Sequence, residues 1–158
     1  MQKLLYIIVS IVVLCFVFRI AIGFFSANRV ATGLTISDGN PPSLSGCDNL
    51  MNCTSSTATN KKNHTDAISY SGASEGLMDK IAAVITTQAG TNIETLQPNY
   101  LHATYKTKLL GYTDDLELLL DEATGVLHVR SASRIGQSDL GANRKRIDAL
   151  RILLQGKI

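Results

Sequence analysis

The pattern of apolar and polar positions divides the chain into three stretches. From Leu4 to Phe18 it reads LLYIIVSIVVLCFVF without a charge, and after Arg19 it continues IAIGFF. About 22 largely apolar residues at roughly 1.5 Å each suffice to cross a hydrocarbon layer. The pattern predicts one helix over 4–25, apolar on all sides, within an anchor spanning 1–27. Arg19 lies near its end, where it can snorkel. Lys3, the apolar run and the small residues Ala21 and Gly23 also match the three regions of a cleaved secretory signal, and the length of the run favours the anchor. Val12-Val13-Leu14 before Cys15 lacks the small residue that lipid attachment at that cysteine requires.

Residues 28–73 carry no sustained period. Ser, Thr, Asn, Gly and Pro dominate, with Leu34, Ile36, Leu44, Leu50 and Met51 scattered among them, which predicts linker and extended loop without regular structure.

Periodicity returns near residue 74. Ser74 is a capping residue for a helix in which Leu77, Met78, Ile81, Val84 and Ile85 recur at helical spacing until Gly90. Ile93–Leu96 and Tyr100–Thr107 follow as strands, split by Gln97-Pro98-Asn99. The second alternates Leu101, Ala103 and Tyr105 against Tyr100, His102 and Thr104. Asp114 to Arg134 contains two alternating runs around Glu122-Ala123-Thr124-Gly125, a four-residue hairpin loop. Pairing Asp121 with Val126 sets Leu119 opposite His128, Glu117 opposite Arg130 and Asp115 opposite Ala132 on one face. Leu116, Leu118, Leu120, Leu127 and Val129 then share the other, and a slip of one residue would destroy the match. Beyond Gly136, Ser138 or Asp139 caps a last helix striped by Ile147, Leu150, Leu153 and Leu154. The expected fold class is α+β: a single domain over 74–158, an antiparallel sheet with helices packed on its apolar face.

Composition changes this picture little. Fifteen basic and thirteen acidic residues are present; Lys3 and Arg19 belong to the apolar segment, which leaves thirteen of each. A neutral domain implies no nucleic-acid partner. Only the C-terminal end is basic, where Arg130, Arg134, Arg144, Lys145, Arg146, Arg151 and Lys157 face Asp139 and Asp148.

With Cys15 inside the apolar segment, Cys47 and Cys53 remain as an even pair. They read as a short disulfide in an oxidising compartment, with Cα atoms within about 7 Å; two free thiols are the other reading, and the spacing lacks a second pair for zinc. Lys3 favours an inside start while Arg19 and Arg29 flank the other end, so the pair carries the expectation of an extracytoplasmic domain. Asn52-Cys53-Thr54 and Asn63-His64-Thr65 fit the glycosylation acceptor pattern.

Two groups of residues have chemical potential. Asp114, Asp115 and Glu117, with Asp121, offer oxygen ligands to a hard cation, but ordinary cross-strand salt bridges are favoured over a metal. Arg130, Ser131, Ser133, Arg134, Asp139, Asn143 and Arg144 gather guanidinium groups and hydroxyls before a helix N-terminus, a combination suited to an anion. Asp139 competes for the same amides, and a self-satisfied network with Asp114 and Asp115 is favoured. His64, His102 and His128 sit in no recognisable catalytic motif, although His102 and His128 share the polar sheet face with Glu117 and Arg130. No cofactor is indicated.

Pro41-Pro42-Ser43-Leu44, Asn52-Cys53-Thr54-Ser55-Ser56, Asp114-Asp115-Leu116-Glu117 and above all VRSASRIGQSDLGANRKR from Val129 to Arg146 resemble domain-of-unknown-function family 1499, over about Pro41 to Leu154. The resemblance implies an exported or membrane-tethered domain and supplies no substrate. Two function classes follow. One is a binding or assembly module tethered through residues 4–25, offering its polar sheet face or basic last helix to a protein partner in a membrane complex or to anionic headgroups. The other is an anionic-ligand protein or enzyme built on Asp114, Asp115, Glu117, Arg130, Arg134 and Arg144.

Overall fold

The computed structural model describes residues 2–158. The apolar start forms one continuous helix, α1 (Gln2–Ala27), long and apolar enough to cross a membrane. Its side chains from Leu4 to Phe18 are exposed all round, and only Ile22 and Ser26 are buried, against the domain.

Eight strands follow: β1 (Leu34–Thr35), β2 (Ser43–Leu44), β3 (Cys53–Ser55), β4 (Ile68–Ser69), β5 (Thr91–Leu96), β6 (Tyr100–Lys106), β7 (Thr113–Asp121) and β8 (Val126–Ser133), of which β1 and β2 form a separate ribbon and the other six one sheet. The main sheet runs β3-β8-β7-β6-β5, with β4 also paired to β8, and every pairing is antiparallel. The β7–β8 hairpin adopts the expected register, Asp121 with Val126 through Asp115 with Ala132, and its loop closes through Gly125 at φ +70°.

Helices α2 (Leu77–Thr86) and α3 (Ala142–Leu154) cover one face of that sheet. Ile81, Ile85, Ile147, Leu150 and Leu154 meet Leu101, Leu116, Leu118, Leu127 and Val129 there, all essentially without solvent contact. Leu153, expected in the stripe, is only half-buried. The fold is α+β, as the alternation implied.

Three expectations need correction. Residues 28–73 are not without regular structure: β1 to β4 lie there, and β3 and β4 complete the sheet edge. Strands of two or three residues are too short to show a period. The first α2 residue follows Gly76, whose backbone is left-handed and which offers no side-chain cap; Ser74 instead donates its hydroxyl to Glu122 and its carbonyl accepts from Leu77. Finally, the polar sheet face is not open. Residues 27–47 lie across it, and Asp115, Glu117 and Arg130 are buried.

Candidate functional site

Alternation along β7 sends Asp115 and Glu117 to the face away from α2 and α3. Register adds His102 opposite Glu117, Thr104 opposite Asp115, Tyr100 opposite Leu119 and Arg130 opposite Glu117. A strap formed by residues 27–34 closes over these groups.

Glu117 is fully enclosed. Its Oε1 accepts from the Tyr100 hydroxyl at 2.8 Å and the Leu34 amide at 3.2 Å, and its Oε2 from the Gly33 amide at 2.7 Å and Arg130 Nη1 at 2.8 Å. Arg130 Nη1 also donates to the Ala31 carbonyl. Among the described residues, Arg130 Nε is the one buried side-chain polar atom without a hydrogen-bond partner. Gly33 lies against it, since a Cβ on that residue would stand 2.4 Å from Nε.

Asp115 is equally enclosed. Arg134 grips it with two parallel bonds, Nη2 to Oδ1 at 2.7 Å and Nε to Oδ2 at 2.9 Å, the geometry that makes an arginine pair strong. The Ala31 amide donates to Oδ2 at 2.9 Å, and His102 Nε2 lies 2.7 Å from Oδ1. Since the carboxylate oxygens only accept, that ring nitrogen carries the proton. Burial raises the pKa of Asp115, but the hydrogen bonds from His102, Arg134 and Ala31 and the Arg134 charge outweigh it and hold the carboxyl down to about 2. The same pair raises the pKa of Arg134. Burial, reinforced by the neighbouring Glu117 charge, pushes the Tyr100 hydroxyl up and keeps it a donor.

Asp114 points to the opposite face, where Arg146 of α3 pairs with it. The three carboxylates therefore do not converge on one centre. Ser131 donates to Asn143 Oδ1 at 2.8 Å, and the Asn143 amide reaches the Asn52 carbonyl and Ser133, so both serines serve to seat α3 on β8. Asp139 accepts from the Gly141 and Asn143 amides and occupies the helix N-terminus itself. Arg144 donates to the Lys62 and His64 carbonyls. The ten candidate ligand residues thus fall into separate groups: Asp115, Glu117, Arg130 and Arg134 under the strap; Asp114, Ser131, Ser133 and Asn143 beneath α3; Asp139 and Arg144 at its start.

Cys47 and Cys53 form a disulfide, with Cα atoms 5.6 Å apart, packed on Ala132 and Ala31 beside the ionic layer. Asn52 and Asn63, the two acceptor-pattern asparagines, are buried. Their amides donate to Ser133 and Gly136 and to Leu50 and Cys53, so in the folded chain both serve as cross-links between loops.

Sequence reasoning missed Tyr100 and Arg146 as members of these networks, and placed His102 on the polar sheet face without pairing it to Asp115. The alternation of Tyr100 and His102 on the polar face of β6 was the available signal for two of them. No curated protein and no solved structure matches this chain. A family model does, over residues 43–154, from β2 to the end of α3. The sheet, its ionic face and both covering helices therefore lie within a described unit, and the chain belongs to the family Protein of unknown function (DUF1499).

Proposed function

We propose that the chain is a single-pass membrane protein whose domain, on the extracytoplasmic side, is a binding or assembly module for a protein partner or a membrane surface. The observation that carries this reading is the closure of the ionic layer. Each oxygen of Asp115 and Glu117 has two donors within the chain, and half of the Glu117 donors are amides of the strap that leads out of α1. The groups best suited to bind a small anion instead fix the domain at the end of its helix. The Cys47–Cys53 disulfide supports an oxidising compartment.

With the polar sheet face covered, the partner surface shifts to the outside of α3 and the exposed loops. The alternative, a small anionic ligand or substrate at Asp114, Asp115, Glu117, Arg130 and Arg134, is left with Arg130 Nε as a buried free donor, behind Gly33.

The test uses the full chain in mild detergent. On the module reading, inorganic phosphate or a small dicarboxylate leaves the melting temperature unchanged, and a protein partner copurifies at fixed stoichiometry. A rise in melting temperature with phosphate that disappears in Arg134→Ala would overturn it in favour of the ligand reading. Sidedness is read separately, by labelling reduced Cys47 and Cys53 with a membrane-impermeant thiol reagent in intact cells.

A further inference from the structure

We propose that the β6–β7 loop, residues 107–112, is a second membrane contact that rests in the lipid interface beside α1, with Leu109 and Leu110 among the acyl chains and Lys106 and Lys108 at the headgroups. This inference rests on the anchor reading of α1.

The argument begins with length. The part of α1 whose residues are all exposed up to the first contact at Arg19, Leu4 to Phe18, is about 22 Å long, short of a hydrocarbon layer of about 30 Å. To span it, the helix must remain in the membrane to about Gly23 or Phe24. That last turn and a half is where the domain meets it. Arg19 Nη2 donates to the Lys108 carbonyl at 3.0 Å, and Gly111 approaches Gly23 so closely that a Cβ on Gly111 would lie 3.6 Å from the Gly23 Cα. One turn further on, the Ser26 hydroxyl accepts from the Thr113 amide at 2.7 Å. The loop is thus held at the depth of Arg19 to Gly23, at the outer edge of the apolar layer.

Its composition fits that depth. Leu109 is 80 % exposed and Leu110 39 %, directly after exposed Lys106 and Lys108. Leucine in the acyl boundary with lysine reaching the headgroups is the arrangement of an interfacial segment. Lys106 and Gly111 line a cleft with Phe16, Ile20 and Phe24 on one flank. On the other, Leu110 and Tyr112 line a cavity of about 350 Å³ with Ile135 and Leu140. Leu140 is 89 % exposed, which extends the apolar surface to the loop before α3. A soluble domain gains nothing by exposing these leucines; a bilayer already reached by the adjoining helix covers them.

The chain has no tryptophan, so single-tryptophan variants report depth directly. Leu109→Trp, Leu14→Trp and Leu96→Trp are each reconstituted, as the full chain, into vesicles of phosphatidylcholine with a minority of phosphatidylglycerol, with and without brominated acyl chains. Leu96 ends β5 at the opposite end of the sheet, about 20 Å away along β6. The expected result is strong quenching and blue-shifted emission for Leu109→Trp and Leu14→Trp, with at least several-fold less quenching for Leu96→Trp. Quenching at Leu14→Trp with water-like, unquenched emission at Leu109→Trp would overturn the loop contact alone. Absence of quenching at Leu14→Trp would overturn the anchor reading and this inference with it. Leu109 is exposed, so its replacement leaves folding undisturbed, which unchanged circular dichroism verifies.

Discussion

The two faces of the main sheet are both buried, but by opposite means. One is apolar and lies under α2 and α3, where Leu118, Leu127, Ile81 and Ile147 exclude water without directional bonds. The other is ionic and lies under the strap of residues 27–34, where Glu117, Asp115, Arg130 and Arg134 are held by specific distances and donors. Apolar packing tolerates any well-fitting shape. A buried charge tolerates only its own partners, because an unpaired one carries the full desolvation cost. The apolar face gives the domain its stability, and the ionic face determines where the chain leaving α1 is placed.

That contrast orders the expected effects. Arg130→Ala strands Glu117 and should cost about 3 to 5 kcal/mol, well above the roughly 0 to 1 kcal/mol of an exposed pair. Denaturant unfolding measures it, and a variant as stable as the parent would reject a structural role for the ionic face. Leu118→Ala on the apolar face should cost about 2 to 5 kcal/mol by lost burial and a cavity. Its distinguishing mark is that the loss stays constant with pH.

Acid sharpens the comparison further. The Asp115 carboxyl is held down to about 2 in the folded chain, below its value of roughly 3.9 when unfolded. A depressed folded pKa contributes stability that is present above the unfolded value and lost as pH falls toward the folded one. Between about pH 4 and pH 2 the protein should therefore lose about 2 kcal/mol. Asp115→Asn should flatten that slope, whereas Leu118→Ala should keep it. Persistence of the full slope in Asp115→Asn would assign the acid response elsewhere. Reducing Cys47–Cys53 should cost about 2 kcal/mol, since the closed loop is short. Gly33→Ala should cost a comparable amount, about 1 to 3 kcal/mol, by pressing on Arg130 and Ser45; unchanged stability there would mean that the strap lies loosely on the sheet.

The apolar face was readable in the sequence because its information is local. Alternation over β7 and β8 admits only one register, and spacing over α2 and α3 marks the residues that cover it. The ion pair of Glu117 with Arg130 followed from that register alone. The strap was not readable. Gly33 and Leu34 meet Glu117 from more than eighty residues away, and nothing in the string between Asn28 and Leu44 announces it. Arg146 was missed for a similar reason: it lies one turn beyond Ala142 on α3, and only the docked helix brings it to Asp114. The separation of Asp114 from Asp115 was implicit in strand alternation, but three acidic residues close in sequence invited a reading as one cluster.

What the strap contributes to the ionic face consists of main-chain atoms: the amides of Ala31, Gly33 and Leu34 and the carbonyls of Ala27 and Ala31. Its side chains, Gly33 aside, carry no part of that recognition. The segment can therefore drift in sequence while keeping its place, and the substitution it resists is proline at 31, 33 or 34, which deletes a donor to a buried carboxylate. The specificity resides wholly in the sheet, so a foreign anchor of different sequence could be joined at residue 27 and still be clasped.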